Sequence, residues 1–271
     1  MIAAAPSRIK IGCQTNAWRI DPRDFSQFLN VLSVLKDLKF AGFETGFRNV
    51  QGQFANATQA RQQIEKIGLT FFGTHIFLEK YDAQTQIAPI ELITQVVDGA
   101  AQLGAEQVIL SGGGLAKDGV LDNAALKRKA DGLNAAGKYA KSKGVSVSYH
   151  NHAPEFALSG AEIEGLLRYT DPELVEFVLD CGHAFRAKVD TAQFFARHFH
   201  RLSGLHLRDF RSNTQVPLGK GDFNLTALAA VVNQTKWEGW VLNEEERADG
   251  SKPGESAVAP AREALRRTFG S

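Results

Sequence analysis

Apolar residues follow two alternating rhythms along this chain. Eight short runs have the length and composition of buried strands: IKIGC (9–13), FAGFETG (40–46), LTFFGTH (69–75), EQVILSG (106–112), VSVSYHNH (145–152), VEFVLDCGH (175–183), LSGLHLRDF (202–210) and WVLNEEE (240–246). Between them the apolar residues recur at helical spacing, as in FSQFLNVLSVLKDL (25–38), PIELITQVVDGAAQLG (89–104) and NAALKRKADGLNAAGKYAKSKG (123–144). Gly68, Gly104 and Gly144 stand just before the next run, where a helix end needs a residue that accepts left-handed backbone. Eight strand–helix repeats predict an α/β fold, a (β/α)8 TIM barrel. No Pro/Gly/Ser-rich linker divides the chain, so a single domain is expected over residues 1–271. A doubly wound open sheet would call for a glycine-rich phosphate turn after the first run, and GCQTNAW (12–18) is not one. SGGG (111–114) lacks the Lys-Ser/Thr of a P-loop.

Composition narrows the function class. The 271 residues are 44% apolar, enough for a full core, and 31 Lys plus Arg balance 30 Asp plus Glu. The densest basic cluster, Lys127-Arg128-Lys129, falls in a helical pattern and reads as a solvated face, so no nucleic-acid partner is expected. No apolar stretch is long enough for a membrane span, and the start, MIAAAPSRIK, has no secretory pattern. Cys13 and Cys181 make no disulfide framework, and Cys181 reads as a small packed residue. The expectation is a cytoplasmic protein with no membrane partner. An exposed patch around Phe194, Phe195 and Phe199 would mark a surface for a second copy, which leaves homo-oligomerisation open.

In a barrel of this kind, chemistry comes from the C-terminal ends of the strands and the loops after them. Here those ends carry Gln14 and Asn16, Glu44, His75, the triplet His150-Asn151-His152 with Glu155 beyond, Asp180 and His183, His206 with Arg208 and Asp209, and Glu244-Glu245-Glu246. Taken alone, Glu44 or His75 reads as a cap or loop residue, and His198 and His200 read as surface residues. Period-two alternation lets only some of the three consecutive glutamates point inward. The coincidence of imidazole or carboxylate on four successive strands is the signal. Such a set suits a divalent metal, Mn, Co or Zn, and in oxygen-rich versions Mg.

GCQTNAW, YHNHAPEF, LDCGHAFRA, LHLRDF, VPLGKGDFN and GWVLNEE, in that order, resemble the xylose-isomerase-like TIM-barrel family of sugar isomerases, epimerases and inosose dehydratases. The resemblance implies a metal held by side chains from the last four barrel strands: Asp180 of D-x-G-H, His206 of H-L-x-D, Glu244 at the end of the eighth strand, and His150, which stands where many members have glutamate. Glu244 or His152 would be the base. His183, Glu155 and Arg208 would bind or protonate substrate oxygens, Glu155 lying close to a second acidic position of some members. Gln14, Glu44, His75 and Trp18 would line the pocket; Trp18 reads equally as packing at the barrel mouth.

The chemistry expected is that of an ion chelating a carbonyl and its neighbouring hydroxyl, which stabilises an ene-diolate after α-proton removal. Returning the proton at the adjacent carbon makes an isomerase of a keto-sugar or related polyol, and returning it on the other face makes an epimerase. Expelling a β-substituent makes an inosose dehydratase or 3-keto-glycoside lyase. The motif does not choose among these. The expected partner is a small sugar or cyclitol, and Arg186, Lys188, Arg211 and Lys220 give no specific phosphate signature. The competing classes are a non-catalytic sugar-binding barrel and a phosphodiesterase-type nuclease, which needs more ligands and a basic groove.

Overall fold

The computed structural model describes residues 9–212, 214–247 and 250–270. The N-terminal residues 1–8, which carry the expectation of no secretory pattern, lie outside that range. Seven strands come first, β1 (Ile9–Gln14), β2 (Gly42–Gly46), β3 (Thr70–Ile76), β4 (Gln107–Leu110), β5 (Ser146–His150), β6 (Val175–Asp180) and β7 (Leu202–Leu207). A short antiparallel hairpin, β8 (Asp209–Arg211) and β9 (Thr214–Val216), follows, and then β10 (Gly239–Asn243). β10 pairs with both β7 and β1, so the eight parallel strands close into the expected (β/α)8 barrel.

The helices are α1 (Phe25–Asp37), α2 (Arg48–Gln51), α3 (Ala57–Ile67), α4 (Ile90–Leu103), α5 (Asn123–Ser142), α6 (Ala157–Tyr169), α7 (Cys181–Arg186), α8 (Thr191–His198), α9 (Leu225–Gln234) and α10 (Glu255–Phe269). Side-chain caps start several of them: Asp24, Asp122, Asp190 and Asn224 each accept a backbone N–H of the first turn. Gly68 and Gly104 close α3 and α4 in left-handed backbone, at φ 76° and 85°.

Two apolar layers result. The larger packs helices on the outside of the sheet; a smaller one, Phe72, Ile109, Val178, Trp240 and Leu242, fills the barrel interior. β3 contains one residue more than its neighbour requires. Phe43 of β2 pairs with Phe71 and Glu44 with Gly73, leaving Phe72 as a bulge. The bulge resets the alternation, so that Gly73 and His75 face the axis.

The structure corrects three expectations. Lys129 is not on a solvated face: it is fully buried and paired with Glu162 at 2.7 Å. Phe194 and Phe195 are buried, Phe194 against Phe156 and Phe195 edge-on to Trp237, and Phe199 is half-buried, so they form no exposed patch. The run read as one strand over 202–210 is two, β7 and β8, broken at Arg208. The Asp209 carboxylate explains the break, since it accepts the backbone N–H groups of Phe210, Gly219, Gly221 and Phe223 and so folds the 209–223 loop around itself. A Cβ at Gly221 would collide with that carboxylate. Both cysteines are free and buried, and burial first, then neighbouring carboxylates, pushes both thiols up.

Candidate active site

The inward residue at the end of each of five strands enters one buried layer: Glu44, His75, His150, Asp180 and His206. Glu244, just past β10, joins them. His150, Asp180, His206 and Glu244 each offer one donor atom, and these four atoms lie within 4.8 Å of one another. Metal–ligand bonds of about 2.0–2.6 Å place donors across an ion about 4–5 Å apart, so the set can hold a divalent metal.

The imidazole at 150 carries the clearest sign. Both its ring nitrogens are buried without a hydrogen-bond partner. Its Nε2 lies 3.6 Å from Asp180 Oδ2 and 3.7 Å from Glu244 Oε2, too long for hydrogen bonds and suitable for ligands sharing an ion.

Each of these groups is fixed from behind. Asp180 caps α7 through Oδ1, which accepts the His183 N–H at 2.7 Å, and this leaves Oδ2 for the site. Asn151 clamps the Asp180 backbone with a donated and an accepted bond, at 3.1 and 3.0 Å. His206 donates from Nδ1 to Glu244 at 2.7 Å and from Nε2 to Glu44 at 2.6 Å. Glu44 continues to His75 Nδ1 at 3.4 Å, and His75 Nε2 reaches Ser111 Oγ at 2.6 Å. Glu44 thus holds the His206 imidazole from the side away from Glu244, as a carboxylate behind a metal-binding imidazole does. Asn16 donates to Glu244 Oε1 at 3.2 Å.

The charges interlock. Arg208 Nη2 lies 2.9 Å from Asp180 Oδ2 and 2.6 Å from Glu244 Oε2. Burial works to raise both carboxyls, yet Arg208 foremost, with His183 at Asp180 and His206 at Glu244, holds them well below the usual range. Burial would lower His206, but Glu44 and Glu244 on either side push it up to about 10. Gly182 makes this approach of Arg208 feasible, since a Cβ there would run into the arginine's Cγ.

A second layer sits above the first. His152 stands 5.0 Å from His150 and 4.9 Å from His183, ring to ring, with Phe77 at 5.6 Å. Burial, then the three imidazoles at 150, 183 and 75, pushes His152 down to about 2, so the ring is neutral.

The remaining expected residues fall elsewhere. Glu155 is fully buried: it accepts from the Tyr149 hydroxyl at 2.6 Å and from the His152 backbone N–H at 3.1 Å. Lys129 lies behind it, 4.8 Å from the Tyr149 ring, donating to Glu162 and to the Gly113 carbonyl. Gln14 is buried and caps its own turn by accepting from the Asn16 N–H. Trp18 is half-buried and lies against Gly254. Of the terminal glutamates, Glu245 turns away to Gln215 and Arg247, and Glu246 pairs with Arg208 at 3.2 Å. His198 bonds Glu164 half-buried, and His200 is exposed. Phe77, Ser111, Lys129 and Glu162 were not anticipated here; period-two spacing from His75 points to Phe77.

Residues 32–268 match the xylose isomerase-like TIM barrel family. The chain belongs to that family. An inosose dehydratase 2 of Bacillus cereus is 27% identical over 241 residues, covering 83% of this chain and 78% of its own. A sugar phosphate isomerase/epimerase from Parabacteroides distasonis superposes with TM-score 0.73 at 20% identity, over 98% of this chain and 96% of the other. The 3-keto-D-glucoside 4-epimerase of E. coli gives TM-score 0.71 at 16% identity, over 97% and 100%. The two structural likenesses are likenesses of fold. All three are named as enzymes of sugar or cyclitol chemistry. Among the described residues no helix is long and apolar enough to cross a membrane.

Proposed function

We propose that this protein is a divalent-metal-dependent enzyme that removes a proton beside the carbonyl of a keto-sugar or cyclitol, as an isomerase or epimerase. The observation that carries the reading is the buried quartet His150, Asp180, His206 and Glu244, with both nitrogens of His150 unpartnered. Two nitrogen and two carboxylate donors favour Mn, Co or Zn over Mg. When bound there, the ion supplies Lewis-acid stabilisation of the negative charge that develops on the substrate oxygens.

The other roles follow from position. His152 stands beside His150 with its ring unprotonated and is assigned to accept the proton, with Glu244 as the alternative acceptor; burial keeps it a weak base until negative charge on a substrate enters beside it. His183 faces the same space beside Asp180 and is assigned to a substrate oxygen. Arg208 keeps Asp180 and Glu244 ionised and presents its guanidinium to the substrate's oxygens. Glu155 is assigned to holding the His152 loop through its backbone bond, and Glu44 and His75 to holding His206. Trp18 borders the mouth.

A dehydratase or lyase is the second reading. One observation favours it: His152 and His183 stand 4.9 Å apart, ring to ring, next to His150, so the site offers imidazoles where a symmetrical epimerase relay would use a second carboxylate. An acid and a base of different kinds suit loss of a β-hydroxyl or alkoxide.

Metal content of the purified protein tests the core of the proposal. Wild type is expected to hold about one ion per chain and Asp180→Ala to lose it; full occupancy in the variant would refute the assignment. Incubating ketoses, keto-inositols and 3-keto-glycosides with Mn-loaded protein in heavy water locates the deprotonated carbon. Deuterium uptake with skeleton retained marks an isomerase or epimerase, and an unsaturated product marks the second reading.

A further inference from the structure

We propose that the site continues beyond the metal-ligand layer into a second-ring subsite above β2 and β3, with Phe77 as its platform and Gly46 as its opening. This rests on the reading above and extends it to the substrate's size. Four large apolar side chains stand well exposed among the described residues, and Phe77, half exposed at 50%, is the aromatic among them. It follows His75 by two positions, so the phase set by the β3 bulge carries it toward the axis one layer higher. Its contact with the His152 ring at 5.6 Å fixes it on the side of the chemistry. A sugar ring held against the ligands fills the space below His152, and Phe77 is left for the ring attached to it.

Room beside that face comes from Gly46. It pairs in register with His75, and a Cβ built on it meets nothing within 4 Å. Its φ is not among the positive values, so the backbone makes no demand for glycine. Gly42, lower on the same strand, differs: a Cβ there would strike the Trp240 ring and the Thr70 carbonyl, and packing alone explains it. The missing side chain at 46 leaves open space beside His75, two residues before Phe77 on the same side of the sheet. The chemistry that fits is a flat ring face with little charge, either the C–H face of a second sugar or an aromatic aglycone.

Titration calorimetry of the Mn-loaded full chain with unoxidised glucosides tests this without turnover. Methyl β-glucoside, phenyl β-glucoside and cellobiose are the three probes. Wild type is expected to bind at least one of the two-ring probes about three- to tenfold tighter than the methyl glucoside. Which one gains identifies the second ring. Phe77→Ala removes the support and Gly46→Leu fills the bay, and each is expected to erase the preference while leaving methyl glucoside within twofold. Equal affinities for all three probes in wild type would overturn the subsite, as would a preference that survives both substitutions. So would a Phe77→Ala variant that changes only the sedimentation of the protein. Failure here leaves metal binding and deuterium uptake untouched; absence of deuterium uptake leaves this comparison readable, and if no metal binds the same three probes are titrated into the chain as purified.

Discussion

Lys129→Met is the most informative single substitution for the scaffold. Lys129 and Glu162 are both essentially inaccessible, and their Nζ–Oε1 distance is 2.7 Å. Glu162 Oε2 also accepts from the Leu115 N–H at 2.7 Å, and Lys129 also donates to the Gly113 carbonyl at 2.9 Å. Methionine keeps most of the volume but strands the Glu162 carboxylate with one backbone donor. Breaking a buried pair on one side costs about 3–5 kcal/mol. At about 2–4 °C per kcal/mol for a chain of this size, the melting temperature should fall by roughly 10 °C. Replacing both partners, Lys129→Met with Glu162→Leu, removes the stranded charge and should recover most of the loss, because the intact pair is worth far less than the broken one costs. The assay is urea unfolding followed by circular dichroism for wild type, both singles and the double. A single variant losing less than about 1 kcal/mol would refute the reasoning, as would a double variant as unstable as the sum of the singles.

Glu44→Ala should weaken Mn binding about 10–100-fold in calorimetry with the fold intact, since the His206 ring loses the carboxylate that orients it; unchanged affinity would remove Glu44 from that role. With His206 held protonated up to about pH 10 by its two carboxylates, metal uptake at neutral pH must displace a proton. Affinity should therefore rise with pH through that range, and calorimetry in buffers of different ionisation enthalpy should count about one proton released; a count of zero would contradict the bonding described. Asp209→Ala leaves four backbone N–H groups of the 209–223 loop without an acceptor, and should cost about 3 kcal/mol or more and expose the loop to protease. A loss under about 1 kcal/mol would show that the loop holds itself.

The barrel was legible because strand and helix rhythms alternate without interruption, and the quartet because the inward-facing residue at the end of β5, β6 and β7 and the one just past β10 is a histidine or a carboxylate. What stayed hidden has identifiable causes. Lys129 sits three residues after Leu126 and four before Leu133, both buried, so helical spacing puts it on the packed face. Its charged neighbours 127 and 128 masked that, and its partner lies 33 residues away on α6. Glu155 and Gln14 have the right chemistry for a pocket, yet each carboxylate or amide oxygen is already taken by a backbone N–H nearby, an outcome that depends on loop geometry rather than residue type. Phe194 and Phe195 look like a patch only until the tryptophan and phenylalanine that cover them are in place.

The extra residue at Phe72 serves the base of the cylinder rather than its rim. It lies about 10 Å below the imidazole of His75 at about 3.3 Å of rise per residue. Taking it out would return β3 to regular pairing, with Gly73 still opposite Glu44 and His75 still opposite Gly46. The rim would keep its facing, and the floor would lose the ring that packs on Trp240 and reaches over Gly204. A one-codon deletion there would therefore be felt as a void beneath the chemistry, with every group that greets an incoming molecule still turned toward it.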